Sequence, residues 1–392
     1  MPAPDEFWNE LFAIDDNPSS NLAIQMWLVK KGGHPFLLLP RRSYPAAVTL
    51  DLYAAQTSLA RAARVALRWS LATGWPFGAR PVSLRTSPDD PFFKFLASQS
   101  KSPNAKIPVF GVLAGNPTRK GQRLLIAVFD ADGEPAAVVK AGLSQQAKSY
   151  IELESSHLAS MPRNTAGLPK VRAIFQSSRL SALALDFVSG HSPRPRQARA
   201  LARLLGAWVQ EDKTTVLTET PDWVRLQSAC RAEPRFLAIA DSLSKRVVST
   251  TLMHGDLAPW NIRVSKAGDW TVFDWERCEL QGIPGWDWFH YVIQAGMLVE
   301  RRPAWSLVAT IEGLIESAEF KAYAQRARIS GIERELVLAY LLHTVFLIMP
   351  SEGLNAARDL LEAITPRFLQ HINTRAGTGN SSAQPVGNAR LR

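Results

Sequence analysis

Residues 252–277 read LMHGDLAPWNIRVSKAGDWTVFDWER, and this stretch constrains the chain more than any other. The apolar residues Val247, Val248, Leu252 and Met253 lead into it and predict a buried strand. The following HGDLAPWN holds a glycine and a proline and reads as a loop. Two short β-like runs come next, from Asn261 to Val264 and from Trp270 to Phe273. The turn from Ser265 to Asp269 joins them, so they predict a hairpin. Pairing its strands brings the outer ends together and sets Asn261 near Asp274, with Asp256 on the loop that enters the first strand. Two carboxylates and an amide then meet at one rim, and these are the hard oxygen donors that Mg²⁺ prefers.

The spacing from Asp256 through Asn261 to Asp274 resembles the catalytic core of the aminoglycoside phosphotransferase and choline kinase-like family. That family is the small-molecule branch of the protein-kinase-like fold. The His-Gly-Asp loop stands where protein kinases carry His-Arg-Asp, and the Asp-x-Glu after the apolar strand stands where they carry Asp-Phe-Gly. The resemblance implies that Asp256 positions or deprotonates an acceptor hydroxyl, while Asn261 and Asp274 hold Mg²⁺ on the phosphates of ATP. It also implies support for the loop from His254 and from Asp287, which lies near the start of a later helix.

The same resemblance organises what precedes the loop. Strand patterns at 109–113, 124–129 and 136–140 read as the start of a small lobe, with a turn-rich segment containing Gly115 over the nucleotide phosphates. That segment is neither a GxGxxG nor a Walker sequence. Lys140 ends an apolar strand, as the nucleotide-anchoring lysine of kinases does. A helix is expected from about 144 to 161, stopped by Pro162, with Ala147, Ile151, Leu158 and Met161 on one stripe. Glu154 falls on that stripe and Glu152 does not. A carboxylate on a packed face needs a charged partner, and Lys140 is the natural one. The strand 183–190 reads as the interlobe hinge, where the backbone of Asp186 and Val188 would meet adenine.

The expected fold is α+β: a two-lobed protein-kinase-like fold with a small antiparallel-sheet lobe, a mainly helical large lobe and an extra N-terminal α/β region. The expected boundaries are an extension over 1–104, the small lobe over 105–190, the large lobe over 191–375 and a disordered tail over 376–392. Within the extension, a hairpin is expected around Lys30–Gly33 and one long helix over 51–73, whose Arg61, Arg64 and Arg68 share a face. Later helices are expected at about 196–212, 233–245, 305–326, 331–349 and 354–371.

Composition narrows the remaining choices. At 46% hydrophobic and 20% charged residues the chain reads as globular, and no apolar run reaches a membrane-spanning length. Its two cysteines, Cys230 and Cys278, have no ligand spacing, which suits a reducing cytoplasm. The net charge of +10 is uneven: residues 1–250 carry +11 and residues 251–373 carry −4. No specific nucleic-acid motif accompanies the excess, so the partner expected is a small-molecule hydroxyl acceptor such as an aminoglycoside, amino-alcohol or sugar. The basic half is also a candidate for peripheral contact with an anionic surface. Six of the twelve tryptophans fall between 260 and 305; core packing accounts for them better than an aromatic cage for a quaternary amine. The alternative reading is a nucleotide-binding pseudokinase that docks on a partner or membrane.

Overall fold

The computed structural model describes residues 10–14, 21–53, 58–74, 76–100, 107–114, 121–194, 197–348 and 355–379. The chain divides into two compact units, Met1–Ser192 with Trp260–Glu276, and Pro193–Pro259 with Arg277–Arg392.

The first unit is built on an eight-stranded sheet. Its strands are β1 (Leu22–Lys31), β2 (His34–Pro40), β3 (Ala79–Thr86), β4 (Val109–Ala114), β5 (Arg123–Phe129), β6 (Pro135–Gly142), β7 (Val171–Gln176) and β8 (Ser181–Asp186). They run in the order β3-β1-β2-β4-β5-β6-β8-β7, and every pair is antiparallel. The N-terminal strands therefore extend the same sheet that carries Lys140. The expected hairpin is β1–β2, turning at Gly32 and Gly33, both at positive φ.

Side-chain alternation gives the sheet two cores. Leu38, Val112, Val139 and Ala141 join Phe12, Phe92 and Phe93 on one face. Leu37, Leu39 and Leu113 face the other way, onto α1 (Ser43–Asp51) and α2 (Ser58–Ala72) through Ala46, Leu50 and Leu71. Because Val139 and Ala141 point into the first core, Lys140 between them must point to the opposite face. There it is register-paired with Leu125. Two further helices pack on this unit, α3 (Pro91–Gln99), capped by Asp90, and α4 (Gln145–Ser160), capped by Ser144. A separate hairpin, β11 (Ile262–Val264) with β12 (Trp270–Val272), belongs to the same unit and bridges to it at His191.

The second unit is mainly helical. It holds α5 (Ala198–Trp208), α6 (Pro221–Ala229), α7 (Pro234–Leu243), α8 (Trp286–Gln294), α9 (Ala304–Glu316), α10 (Ala318–Arg326), α11 (Glu333–His343) and α12 (Asn355–Gly379). Its three-stranded antiparallel sheet has β10 (Val247–Met253) between β9 (Val209–Val216) and β13 (Glu279–Gly282).

Four expectations are corrected. The helix read over 51–73 is α2, which runs over Ser58–Ala72, and Asp51 instead ends the preceding helix α1. The helix read to 212 stops at Trp208, because the β-branched Thr214, Thr215 and Val216 pair with β10 and draw the chain into a strand. The helix read over 305–326 breaks at Ser317, whose hydroxyl accepts the Phe320 amide at 3.2 Å and caps α10. The last helix runs past 371 to Gly379. Among the described residues no helix is long and apolar enough to cross a membrane.

Candidate active site

In the sheet unit a group of charged side chains collects around Lys140. Ser144 starts α4, and Ala147, Ile151, Glu154, Ser155 and Leu158 form its buried stripe. Glu154 is thereby carried under β6 with no solvent exposure, and Lys140 is only 4% exposed. The Lys140 ammonium donates to both Glu154 oxygens, at 2.6 and 2.8 Å, and also to Asp274 Oδ1. Glu152 points elsewhere and accepts from Ser181 Oγ at 3.1 Å. The stripe thus selected Glu154 over Glu152 correctly.

The hairpin brings Asp274 to this lysine. The Phe273 amide donates to the Asn261 carbonyl at 2.8 Å, which fixes the two outer ends against each other. Asn261 is buried. Asp274 has a φ of +69°, a left-handed conformation that costs a non-glycine residue about 1–3 kcal/mol. The turn beyond it is held by α4: the Trp275 amide donates to Glu154 at 3.3 Å, and His157 Nδ1 donates to the Trp275 carbonyl at 2.8 Å.

Two residues that the sequence reading passed over complete this cluster. Glu276 places a carboxylate oxygen within 4.8 Å of oxygens of both Glu154 and Asp274. Arg123, at the start of β5, pairs with Glu276 at 2.8 Å and stacks on the Tyr150 ring at 5.6 Å. Their signals were faint but present. Arg123 lies two residues before Leu125, so it shares the face of Lys140, and Glu276 is the acid of the Asp-x-Glu run.

Three carboxylates against two cations leave the cluster with one net negative charge. Burial pushes the Lys140 ammonium down, but the Asp274, Glu154 and Glu276 carboxylates outweigh it and hold the group firmly charged. Glu154 is pushed up by burial and by the neighbouring Asp274 and Glu276, against the pull of Lys140. Glu154, Asp274 and Glu276 bring carboxylate oxygens within 4.8 Å of one another, a group of hard oxygen donors of the kind that could hold a divalent cation.

In the helical unit a second group of side chains surrounds the loop after β10. His254 is fully buried. The amides of His254 and Gly255 donate to Asp287 at 2.6 and 3.0 Å, so one carboxylate holds two consecutive peptide units. Gly255 has a φ of +78°, and a Cβ there would come within 2.5 Å of the Arg277 carbonyl, so only glycine fits. The Asp256 amide donates to His254 Nδ1 at 3.2 Å, which places the His254 proton on Nε2. Asp287 sits in the first turn of α8, and burial pushes its carboxyl up against the opposing His254 and Gly255 amide donors.

The Asp256 carboxylate is held from α8 as well. His290 Nε2 lies 3.1 Å from Asp256 Oδ1, and the Tyr340 hydroxyl lies 3.0 Å from His290 Nδ1. One neutral tautomer satisfies both contacts, with Nε2–H donating to Asp256 and Tyr340 donating to Nδ1. Burial pushes the Asp256 carboxyl up. The His290 hydrogen bond and the Arg277 charge outweigh it and keep the group below the usual carboxylate range. Neither His290 nor Tyr340 was named from sequence; a histidine three residues after Asp287 on one helix was the available signal.

The remaining expected residues are less engaged. The Asp186 amide donates to the Lys170 carbonyl at 2.9 Å, and its carboxylate lies 3.5 Å from Lys170 and 3.6 Å from Arg172. Val188 follows β8 in an irregular, half-buried segment. Gly115 and the turn-rich segment around it lie outside the described residues. Of the clustered tryptophans, Trp275, Trp286 and Trp288 are core residues. Trp288 packs on Phe320 and Tyr323 at 5.2 and 5.3 Å.

Comparison with known proteins places these observations. A thermostable mutant of the aminoglycoside phosphotransferase APH(4)-Ia is similar at 11% identity and a TM-score of 0.44, over 73% of this chain and 99% of that one. The choline kinase LicA from Streptococcus pneumoniae is similar at 14% identity and 0.41, over 66% and 94%. A putative fructosamine-3-kinase from Haemophilus somnus 129PT is similar at 17% identity and 0.43, over 71% and 96%. The fold described above rests on the chain's own strand pairing and not on these likenesses. No curated protein matches the chain. Residues 164–287, which hold the His254–Asp256 loop, the hairpin with Asn261 and Asp274, and Asp287, match the phosphotransferase enzyme family.

Proposed function

We propose that the chain transfers the γ-phosphoryl group of ATP, with Mg²⁺, to a hydroxyl of a small molecule. The observation that carries this reading is the buried Lys140 held by Glu154 and Asp274, in a chain whose 164–287 segment matches phosphotransferases. A lysine buried among carboxylates is a poor way to gain stability but suits a site that exchanges partners when polyphosphate arrives.

Each group then has a role. Lys140 meets the phosphates, and Glu154 keeps it in place. Asn261 and Asp274, with Glu276 in reach of the same position, would hold Mg²⁺, which supplies charge neutralisation for the phosphates. Asp256 accepts the proton of the acceptor hydroxyl as its oxygen bonds to the γ-phosphorus and the bond to the β–γ bridging oxygen breaks, leaving ADP. The low-lying Asp256 carboxyl is ionised at neutral pH, as this role requires. Asp287 fixes the loop by its two amide contacts. The backbone of Asp186 and Val188 would meet adenine, Asp186 through its carbonyl, since its amide donates to Lys170. Catalysis of this kind is positioning plus neutralisation and needs no covalent enzyme intermediate.

Calorimetric titration with ATP, with and without Mg²⁺, tests the nucleotide half of the proposal. Binding should require the metal and be weakened in Asp274→Asn with the fold intact. A folded wild-type chain that binds no nucleotide would refute it.

A further inference from the structure

We propose that the outer face of α2 is a docking surface for an anionic lipid membrane. Among the described residues α2 is covered on one side, and much of the other side is apolar. Its Leu71, with the partly buried Leu67, packs toward α1 and the sheet. On the opposite side Leu59, Ala62, Val65, Ala66 and Trp69 are exposed, with Leu59 at 81% and Trp69 at 73%. Phe77, at 85%, is exposed just beyond the helix, where its amide donates to the Ser70 hydroxyl of α2 at 3.0 Å. Leu59, Val65 and Trp69, so exposed on one helix, form a patch and not scattered surface residues.

The charged residues of α2 indicate what covers it. Its only charged side chains are Arg61, Arg64 and Arg68, and it contains no acid. Arg64 donates to the Tyr53 carbonyl at 3.0 Å, and Arg68 pairs with Asp51. The arginines thus stand along one flank of the apolar face, where a surface-lying helix meets lipid phosphates while Leu59, Trp69 and Phe77 enter the acyl boundary. Symmetric packing on a second copy of the chain would double the arginines with no carboxylate on the helix to answer them. The +11 charge of residues 1–250 favours the same anionic occupant.

Co-sedimentation of the full chain with vesicles tests this. Phosphatidylcholine vesicles should bind little, and vesicles with added phosphatidylglycerol should bind the chain in a salt-sensitive way. Replacing two basic side chains (Arg61→Gln with Arg68→Gln) should weaken binding about thirtyfold, from roughly fivefold per charge near the surface. Leu59→Ser with Trp69→Ser, both exposed and so compatible with an unchanged melting curve, should abolish it. Equal binding by wild type and both variants, or no binding to anionic vesicles, overturns the proposal. So does a concentration-dependent dimer that the serine variant loses, since a second copy would then cover the face.

Discussion

The Lys140 cluster makes a prediction about asymmetry. Two cations and three carboxylates share it, so its response depends on which charge is removed. Lys140→Met leaves Glu154, Asp274 and Glu276 with Arg123 alone, two net negative charges at a buried site. Breaking a buried pair in that direction costs about 3–5 kcal/mol. Glu154→Gln instead leaves Lys140 with Asp274 and Arg123 with Glu276, a balanced set. It also removes the crowding that pushes the Glu154 carboxyl up. Its cost should be about 1–2 kcal/mol, one charged hydrogen bond less the relief of repulsion. The double variant should recover about 1–3 kcal/mol relative to the sum of the singles. Urea unfolding gives the global values, and hydrogen exchange at amides of β6 and α4 assigns the loss to the sheet unit. Equal costs for the two single variants, or a larger cost for Glu154→Gln, would refute the charge count.

Further consequences follow from other contacts. Asp287→Ala removes the acceptor of two buried amides, so the loop after β10 should exchange faster and stability should fall by about 2–4 kcal/mol; an unchanged exchange rate at His254 and Gly255 would contradict the buttress. Glu276→Gln should leave Arg123 without its ion-pair partner, lower stability, and weaken Mg²⁺-dependent nucleotide binding by about tenfold in the folded variant, and full affinity would remove Glu276 from the metal position. His343 is pushed down to about 4 by burial and by Arg225, and the nearby Asp222 at 3.6 Å does not reverse this because Arg225 holds the same carboxylate. A histidine with a depressed folded-state value stabilises above its ordinary 6.5, and that contribution is lost as pH falls. Stability should therefore drop by about 3 kcal/mol between pH 6.5 and 4, and His343→Phe should flatten the curve over that window; an identical slope in the variant would refute the assignment.

Much of this arrangement was legible in the sequence where period and spacing speak directly. The Glu154 stripe, the apolar run before Lys140 and the 261–274 hairpin each rest on one local pattern, and the structure shows each pattern formed. The residues missed are held by contacts across long separations. His290 meets the loop residue Asp256 from α8, and Arg123 meets Glu276, in the turn after β12, from β5, so no local period marks either. Helix boundaries failed for the same reason: only the β-branched end of VQEDKTTV signals a strand, and its polar first half becomes β9 through pairing with β10. The size of the sheet was also hidden, since nothing local tells that β1 to β3 extend the strands around Lys140.

The central claim is phosphoryl transfer with Asp256 on the acceptor side. The direct measurement follows γ-labelled ATP through a panel of amino-alcohols, aminoglycosides and sugars, with wild type and Asp256→Asn compared on the acceptor that takes label. The account predicts Mg²⁺-dependent transfer by wild type, and in the variant a fall of about 10²–10⁴-fold with nucleotide affinity little changed. Transfer by a folded Asp256→Asn chain at the wild-type rate would contradict it.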